Sequence, residues 1–225
     1  MIANIKAVLW DFGGVFTASP FTGMHKYAES LGVDSKTLQE QVFGPYEQDT
    51  DHPWHRLERG EQTMDATSEE LATLAENSGI DGFTLDGFFQ SMRLDESRRL
   101  DEIGKQADRS AVVEMVRKLK EAGIRNAIIT NNIAEFREAW RKMIPVDELF
   151  EEVVDSSAEG IRKPNPAIYY LALERLGGLS PQDAVFLDDA ISNVEAARNL
   201  GIYGIHVKDD PTPAMEELAQ VCGLA

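Results

Sequence analysis

The stretch Ala7-Val8-Leu9-Trp10-Asp11-Phe12-Gly13-Gly14 decides how the rest of the chain is read. Its four consecutive apolar residues show no alternation between two faces, so they describe a strand buried on both sides. The carboxylate that follows at once, and the two glycines after it, mark a sharp exit from that strand. Four later segments repeat the theme: Ala127-Ile128-Ile129-Thr130, Val153-Val154, Ala184-Val185-Phe186-Leu187 and Tyr203-Gly204-Ile205-His206-Val207. Helical patterns separate them. Val112 to Glu121 carries apolar residues at Val112, Val113, Val116 and Leu119 and stops at Gly123. Ile168 to Leu176 follows a proline-rich start and ends at Gly177-Gly178, and Ile191 to Leu200 ends at Gly201. Continuous apolar strands alternating with helices predict an α/β fold, a Rossmann-like parallel-sheet core covered on both faces.

The region from about Phe21 to Asp108 has only helical periodicity. Met24, Tyr27, Ala28 and Leu31 share one face, as do Leu71, Leu74 and Ala75, and then Phe88, Phe89 and Met92. The chain therefore divides into a core formed by 1–20 and 109–225 and a helical insert, 21–108, placed after the first strand.

Composition limits the function. The 225 residues include 22 Lys and Arg against 39 Asp and Glu, a formal charge of −17. Nucleic-acid binding needs a basic face to displace counterions, and an anionic membrane surface attracts basic rather than acidic segments, so neither is an expected partner. With 43% hydrophobic and 8% aromatic residues the chain can build a core. The single cysteine, Cys222, permits no internal disulfide. There is no signal-peptide pattern and no run of about 18 apolar residues, so a cytoplasmic protein is expected. The oligomeric state is not legible.

In a doubly wound sheet, ligands bind beyond the carboxyl ends of the strands. Asp11 and Gly13 follow the first strand, Thr130 and Asn131 close the second, Arg162-Lys163-Pro164 lies after the third, and Asp188-Asp189 follows the fourth. Converged on one edge, these residues suit a divalent cation plus a phosphate. Mg²⁺ prefers hard oxygen ligands such as Asp11, Asp188 or Asp189 and a backbone carbonyl near Gly13. Without a cation, clustered carboxylates repel one another. Asp is also a covalent nucleophile for phosphoryl groups, Lys163 offers a neutralising charge, and Thr130 and Asn131 offer hydrogen bonds. Each piece alone has a plainer reading: Asp11 as a turn cap, Asp188-Asp189 as the N-cap of the helix from Ile191, Lys163 as an exposed loop lysine, Thr130-Asn131 as a strand end.

Together they resemble the haloacid dehalogenase superfamily of aspartate-nucleophile hydrolases. Val8 to Val15 matches its first motif, Ile128-Ile129-Thr130-Asn131 the second, Arg162-Lys163-Pro164-Asn165-Pro166 the third, and Phe186-Leu187-Asp188-Asp189 with Asn193 and Ala197 the fourth. The insert resembles that superfamily's helical cap, and Trp54 to Glu61 is similar to a segment of the branch containing the N-terminal phosphatase domain of soluble epoxide hydrolase. The resemblance implies a Mg²⁺-dependent phosphatase for a small phosphorylated metabolite. Asp11 is then nucleophile and metal ligand, Lys163 holds Asp11 and the phosphoryl group, and Thr130 and Asn131 bind phosphate. Gly13 gives its carbonyl to the metal. Asp189 touches the ion directly and Asp188 acts through water.

One position departs from the pattern. Phosphatases of the superfamily carry Asp-x-Asp, the second Asp being general acid and base, and here that residue is Gly13. Acid–base help is worth about 10²–10⁴-fold, so slow turnover, a leaving group that departs without protonation, or a substitute acid from the cap is expected, with His25, His52, His55 and Glu58 as candidates. Gly13 also keeps two alternatives open, a metal-independent 2-haloacid dehalogenase and a non-catalytic protein that binds a phosphorylated ligand or a partner. His52-x-x-His55 with Asp49 and Asp51 reads as a solvated cap loop rather than a metal site. Phe83, Phe88 and Phe89 read as cap packing.

Overall fold

The computed structural model describes residues 5–17, 19, 24–91 and 109–224. Five parallel strands form one sheet: β1 (Ala7–Trp10), β2 (Arg125–Thr130), β3 (Glu152–Asp155), β4 (Ala184–Asp188) and β5 (Tyr203–His206), in the order β3-β2-β1-β4-β5. Leu9 pairs with Ala127 on one side and Phe186 on the other, so β1 is central. Strands added through β2 and β3 grow one way and β4 and β5 the other. The carboxyl ends of β1 and β4 therefore flank the point where strand order reverses, the usual crevice for a ligand.

Between β1 and β2 lie α1 (Met24–Leu31), α2 (Ser35–Phe43), α3 (Pro53–Glu58), α4 (Met64–Asn77) and the helical residues 85–91, here α5. Local signals start them: Asp34 accepts from the Thr37 N–H, Thr63 from the Ala66 N–H, and Pro53 occupies the first turn of α3. Their apolar faces close on a core of their own that includes Met24, Leu38, Phe43, Leu57, Leu71 and Phe88. The expected boundaries near 20 and 108, and Met92, fall outside the described residues. The His52–His55 segment is not a solvated loop. His52 caps α3 and His55 is fully buried, its ring accepting from the Thr50 N–H at 3.1 Å. Among the described residues no helix is long and apolar enough to cross a membrane.

The buried strands feed two separate layers. Val8, Trp10, Val185 and Leu187 pack with α6 (Ser110–Glu121), α8 (Val146–Leu149) and α12 (Thr212–Val221). Ala7, Leu9, Ala127, Ile129 and Phe186 pack on the other face against α10 (Pro166–Arg175) and α11 (Ile191–Asn199). The short helices α7 (Arg137–Trp140) and α9 (Ser156–Glu159) come after β2 and β3 respectively. Two-residue alternation is thus present in β1 even though every residue is apolar, because both faces are covered.

Three strands, β2, β3 and β4, are longer than their apolar runs. β2 begins at Arg125 and includes the polar Asn126, which is buried. Its side chain accepts from Trp10 Nε1 at 2.9 Å and donates to the Ile124 carbonyl at 3.1 Å, so burial leaves it satisfied. β3 gains Glu152 and Asp155 through its ladder to Ala127–Thr130. Asp188 is the last residue of β4 rather than part of the loop after it.

Candidate active site

The four strand-end segments converge as expected. Lys163 Nζ lies 2.7 Å from Asp11 Oδ1 and 2.7 Å from Asp188 Oδ2, with all three side chains buried. Asp11 Oδ1 also accepts from the Phe12 N–H at 2.7 Å, while no hydrogen bond among the described residues engages Oδ2. Asp188 is saturated: the Ala190 N–H reaches Oδ1 at 2.7 Å, and Asn193 Nδ2 reaches Oδ1 at 3.2 Å and Oδ2 at 3.1 Å. The N-cap of α11 is Ala190, with no side-chain cap, so Asp188-Asp189 is not that helix's cap. Asp189 is half-buried and lines a cavity with Asp11 and Gly13. Gly14 leaves room for the Asp189 side chain to lie against its backbone. Its φ is +74°, and a Cβ there would stand 2.1 Å from Asp189 Cγ.

Thr130 ends β2 and is buried. The Asn131 side chain is engaged within the protein. Its Oδ1 accepts from the Lys163 N–H at 2.8 Å and its Nδ2 donates to the Lys163 carbonyl at 3.0 Å. The amide thus clamps the backbone that carries the lysine.

One carboxylate oxygen from each of Asp11, Asp188 and Asp189 lies within 4.8 Å of the others. Burial, then repulsion from Asp188, raises the Asp11 carboxyl well above its ordinary range, with Lys163 only partly opposing. Burial and then Asp188 likewise push Asp189 up to about 6. Burial pulls the Lys163 ammonium down, but Asp11 and Asp188 outweigh it and the net shift is upward. Three hard oxygen donors with one ammonium between them leave excess negative charge in a buried place. That donor set fits a small divalent cation such as Mg²⁺.

A family model described as haloacid dehalogenase-like hydrolase matches residues 5–201. This chain belongs to that family. It is 31% identical over 221 residues to acyl-CoA dehydrogenase family member 10 of Mus musculus, a match covering 98% of this chain and 19% of that protein. The chain therefore spans about a fifth of the mouse protein's length. It is 28% identical over 226 residues to a sesquiterpene phosphatase of Aspergillus oryzae, covering 99% of this chain and 100% of that one. A crystal structure of a HAD family enzyme from Bacteroides thetaiotaomicron, in complex with magnesium and inorganic phosphate, superposes with a TM-score of 0.56 at 19% identity, covering 91% of this chain and 95% of that one.

In this haloacid dehalogenase-like hydrolase the insert closes over the carboxylates. Phe43, Tyr46, Trp54, Phe88, Phe89 and Phe136 line the cavity above Asp11. Phe83 is core packing, as expected, but Phe88 and Phe89 also face the cavity. Sequence reading missed this wall. Periodicity placed both rings on one apolar face, and a stripe of that width does not show which of its residues also border a cavity. Arg162 was read only as part of the strand-end loop, and it is buried. It holds Glu58 of the insert at 2.6 Å, and Ser156 Oγ donates to the Glu58 carbonyl at 2.5 Å. Of the four acid candidates, His25 is exposed and neither His52 nor His55 lines the cavity. Glu58 does line it, but its carboxylate is committed to Arg162. Burial and then Arg162 lower His55 to about 3, so its ring is neutral. Burial raises the Cys222 thiol to about 11, consistent with an inert cysteine.

Proposed function

We propose that this hydrolase is a Mg²⁺-dependent phosphomonoesterase that works through an aspartyl-phosphate on Asp11. One observation carries the reading: the Asp11 carboxylate has one oxygen pinned by Lys163 and the Phe12 N–H and the other without a hydrogen bond among the described residues, beside two further carboxylates. A pinned, oriented carboxylate with a free oxygen is a positioned nucleophile. Asp11, Asp189 and the Gly13 carbonyl are the residues that would hold the ion, with Asp188 kept behind them by its hydrogen bonds from Lys163, Ala190 and Asn193. When bound, Mg²⁺ neutralises phosphoryl charge.

The free Asp11 oxygen attacks phosphorus, a bond from Asp11 to phosphorus forms and the ester bond to the alcohol breaks. Lys163, the Thr130 hydroxyl and the Asn131 backbone N–H balance the charge on the phosphoryl oxygens. Gly13 has no proton to give, so the departing alcoholate takes one from solvent. Water then attacks phosphorus, the bond from phosphorus to the Asp11 oxygen breaks, the proton of the water passes to solvent, and the Asp11 carboxylate and inorganic phosphate are released. We read helices α1 to α5 as the cap that limits water access and shapes the substrate space. A haloacid substrate is the poorer fit, because its carboxylate would meet three protein carboxylates.

The reading is tested by phosphate release from 4-nitrophenyl phosphate with Mg²⁺ and with EDTA. Activity is expected to need the metal and to fall at least about 10³-fold in Asp11→Asn. Equal activity in wild type and Asp11→Asn overturns it.

A further inference from the structure

We infer that the alcohol half of the substrate is a compact apolar group, about the size of one aromatic ring, held in the aromatic chamber above Asp11. This rests on the phosphomonoesterase reading and adds a size and a polarity to it. The chamber encloses about 170 Å³. For scale, an apolar cavity of about 150 Å³ admits benzene. The space above Asp11 therefore matches one ring or a short chain, with the phosphoryl group at its floor beside Asp11.

The chamber's polar groups are the carboxylates and amides of its floor with Glu58 and Tyr46 in the wall, and both amides and Glu58 are already engaged. The Asn131 amide is closed on the Lys163 backbone at 2.8 and 3.0 Å, and Asn132 Nδ2 donates to Asp155 at 2.8 Å. Glu58, the charged group in the wall, is held by Arg162 at 2.6 Å. Sugar or glycerol hydroxyls placed against the aromatic wall would lose water and meet few polar partners, which is unfavourable. A carboxylated alcohol would face Asp11, Asp189 and Glu58, while Lys163 and Arg162 already serve carboxylates. Aromatic walls from Phe43, Trp54, Phe88, Phe89 and Phe136 instead suit a ring, which stacks or meets them edge-on.

The test compares three esters of primary alcohols, so that leaving groups differ little: benzyl phosphate, glycerol 1-phosphate and dodecyl phosphate, each with Mg²⁺. Calorimetry in parallel measures two non-hydrolysable phosphonates, 2-phenylethylphosphonate and 3,4-dihydroxybutylphosphonate. Benzyl phosphate is expected to exceed the glycerol ester about 100-fold in kcat/KM and the dodecyl ester about tenfold, with the phenyl phosphonate binding correspondingly tighter. Glycerol 1-phosphate within threefold of benzyl phosphate, or dodecyl phosphate ahead of it, overturns the inference while leaving the phosphatase reading intact. Selective phosphonate binding with no hydrolysis of any ester sinks the phosphatase reading and supports the chamber. Phe89→Ala, which widens the chamber, is expected to raise the dodecyl-to-benzyl ratio. An unchanged ratio counts against the chamber as the alcohol site.

Discussion

The Arg162 guanidinium of the core meets the Glu58 carboxylate of the insert at 2.6 Å, with side-chain exposures of 0% and 5%. Arg162 Nη1 also donates to the Gln48 carbonyl at 2.9 Å, and its guanidinium sits 5.2 Å from the Tyr46 ring centre. Arg162 precedes Lys163 in the chain, so the contact that seats the insert adjoins the residue that pins Asp11. Removing one partner leaves a buried charge alone, which costs about 3–5 kcal/mol. Glu58→Ala is therefore expected to lose about that much stability in urea unfolding. The double variant Glu58→Ala with Arg162→Met is expected to recover part of it, and strict additivity of the two changes would show that the pair does not couple.

Gly13 stands where the superfamily's phosphatases carry their acid–base aspartate. It is not among the glycines with positive φ, so a side chain there meets no left-handed backbone. Gly13→Asp is expected to speed hydrolysis of alkyl phosphates by about 10²-fold or more, with much less effect on 4-nitrophenyl phosphate, whose leaving group departs without a proton. Equal effects on both would argue that the new carboxylate acts on charge or packing rather than on proton transfer.

Gly14 is required for a different reason. Its φ is +74°, and a methyl group added there would come within 2.1 Å of Asp189 Cγ, so Gly14→Ala must move Asp189. The variant is expected to keep the fold by circular dichroism, to lose about tenfold or more in Mg²⁺ affinity by calorimetry, and to lose activity with it. Undiminished Mg²⁺ affinity would show that Asp189 is not a ligand.

The acidic cluster makes the metal response depend on pH. Asp189 is raised to about 6 from an ordinary 3.8, so its protonated form is favoured by the metal-free fold. Below the ordinary value it is protonated folded and unfolded, and its contribution to stability is fully present. As pH rises through about 6 the half-buried carboxylate ionises and that contribution is lost. A cation relieves the cost only once the carboxylates are charged. Mg²⁺ is expected to raise Tm by about 2–6 °C at pH 8 and by little at pH 5. A Tm shift of the same size at both pH values would detach metal binding from this cluster.

The candidate site was legible in the sequence because its parts are local. Asp11, Thr130, Lys163 and Asp188 each sit where an apolar strand or its following loop ends, and parallel strands bring such ends to one edge. Even Asn131 was found by position, although its amide proved to clamp Lys163. The insert was legible only as helical periodicity, since an apolar stripe shows that a face is covered without showing by what.

The chain by itself determined the parallel sheet, the order of its motifs and the convergence of their carboxylates and lysine, because strand burial and strand-end loops follow from short-range patterns. Only the tertiary structure decided which helix faces turn toward Asp11, that Phe88 and Phe89 form a wall as well as a core, and that Glu58 meets Arg162 across 104 residues. Those contacts arise from docking one hydrophobic core on another, and no local spacing encodes the geometry of that docking.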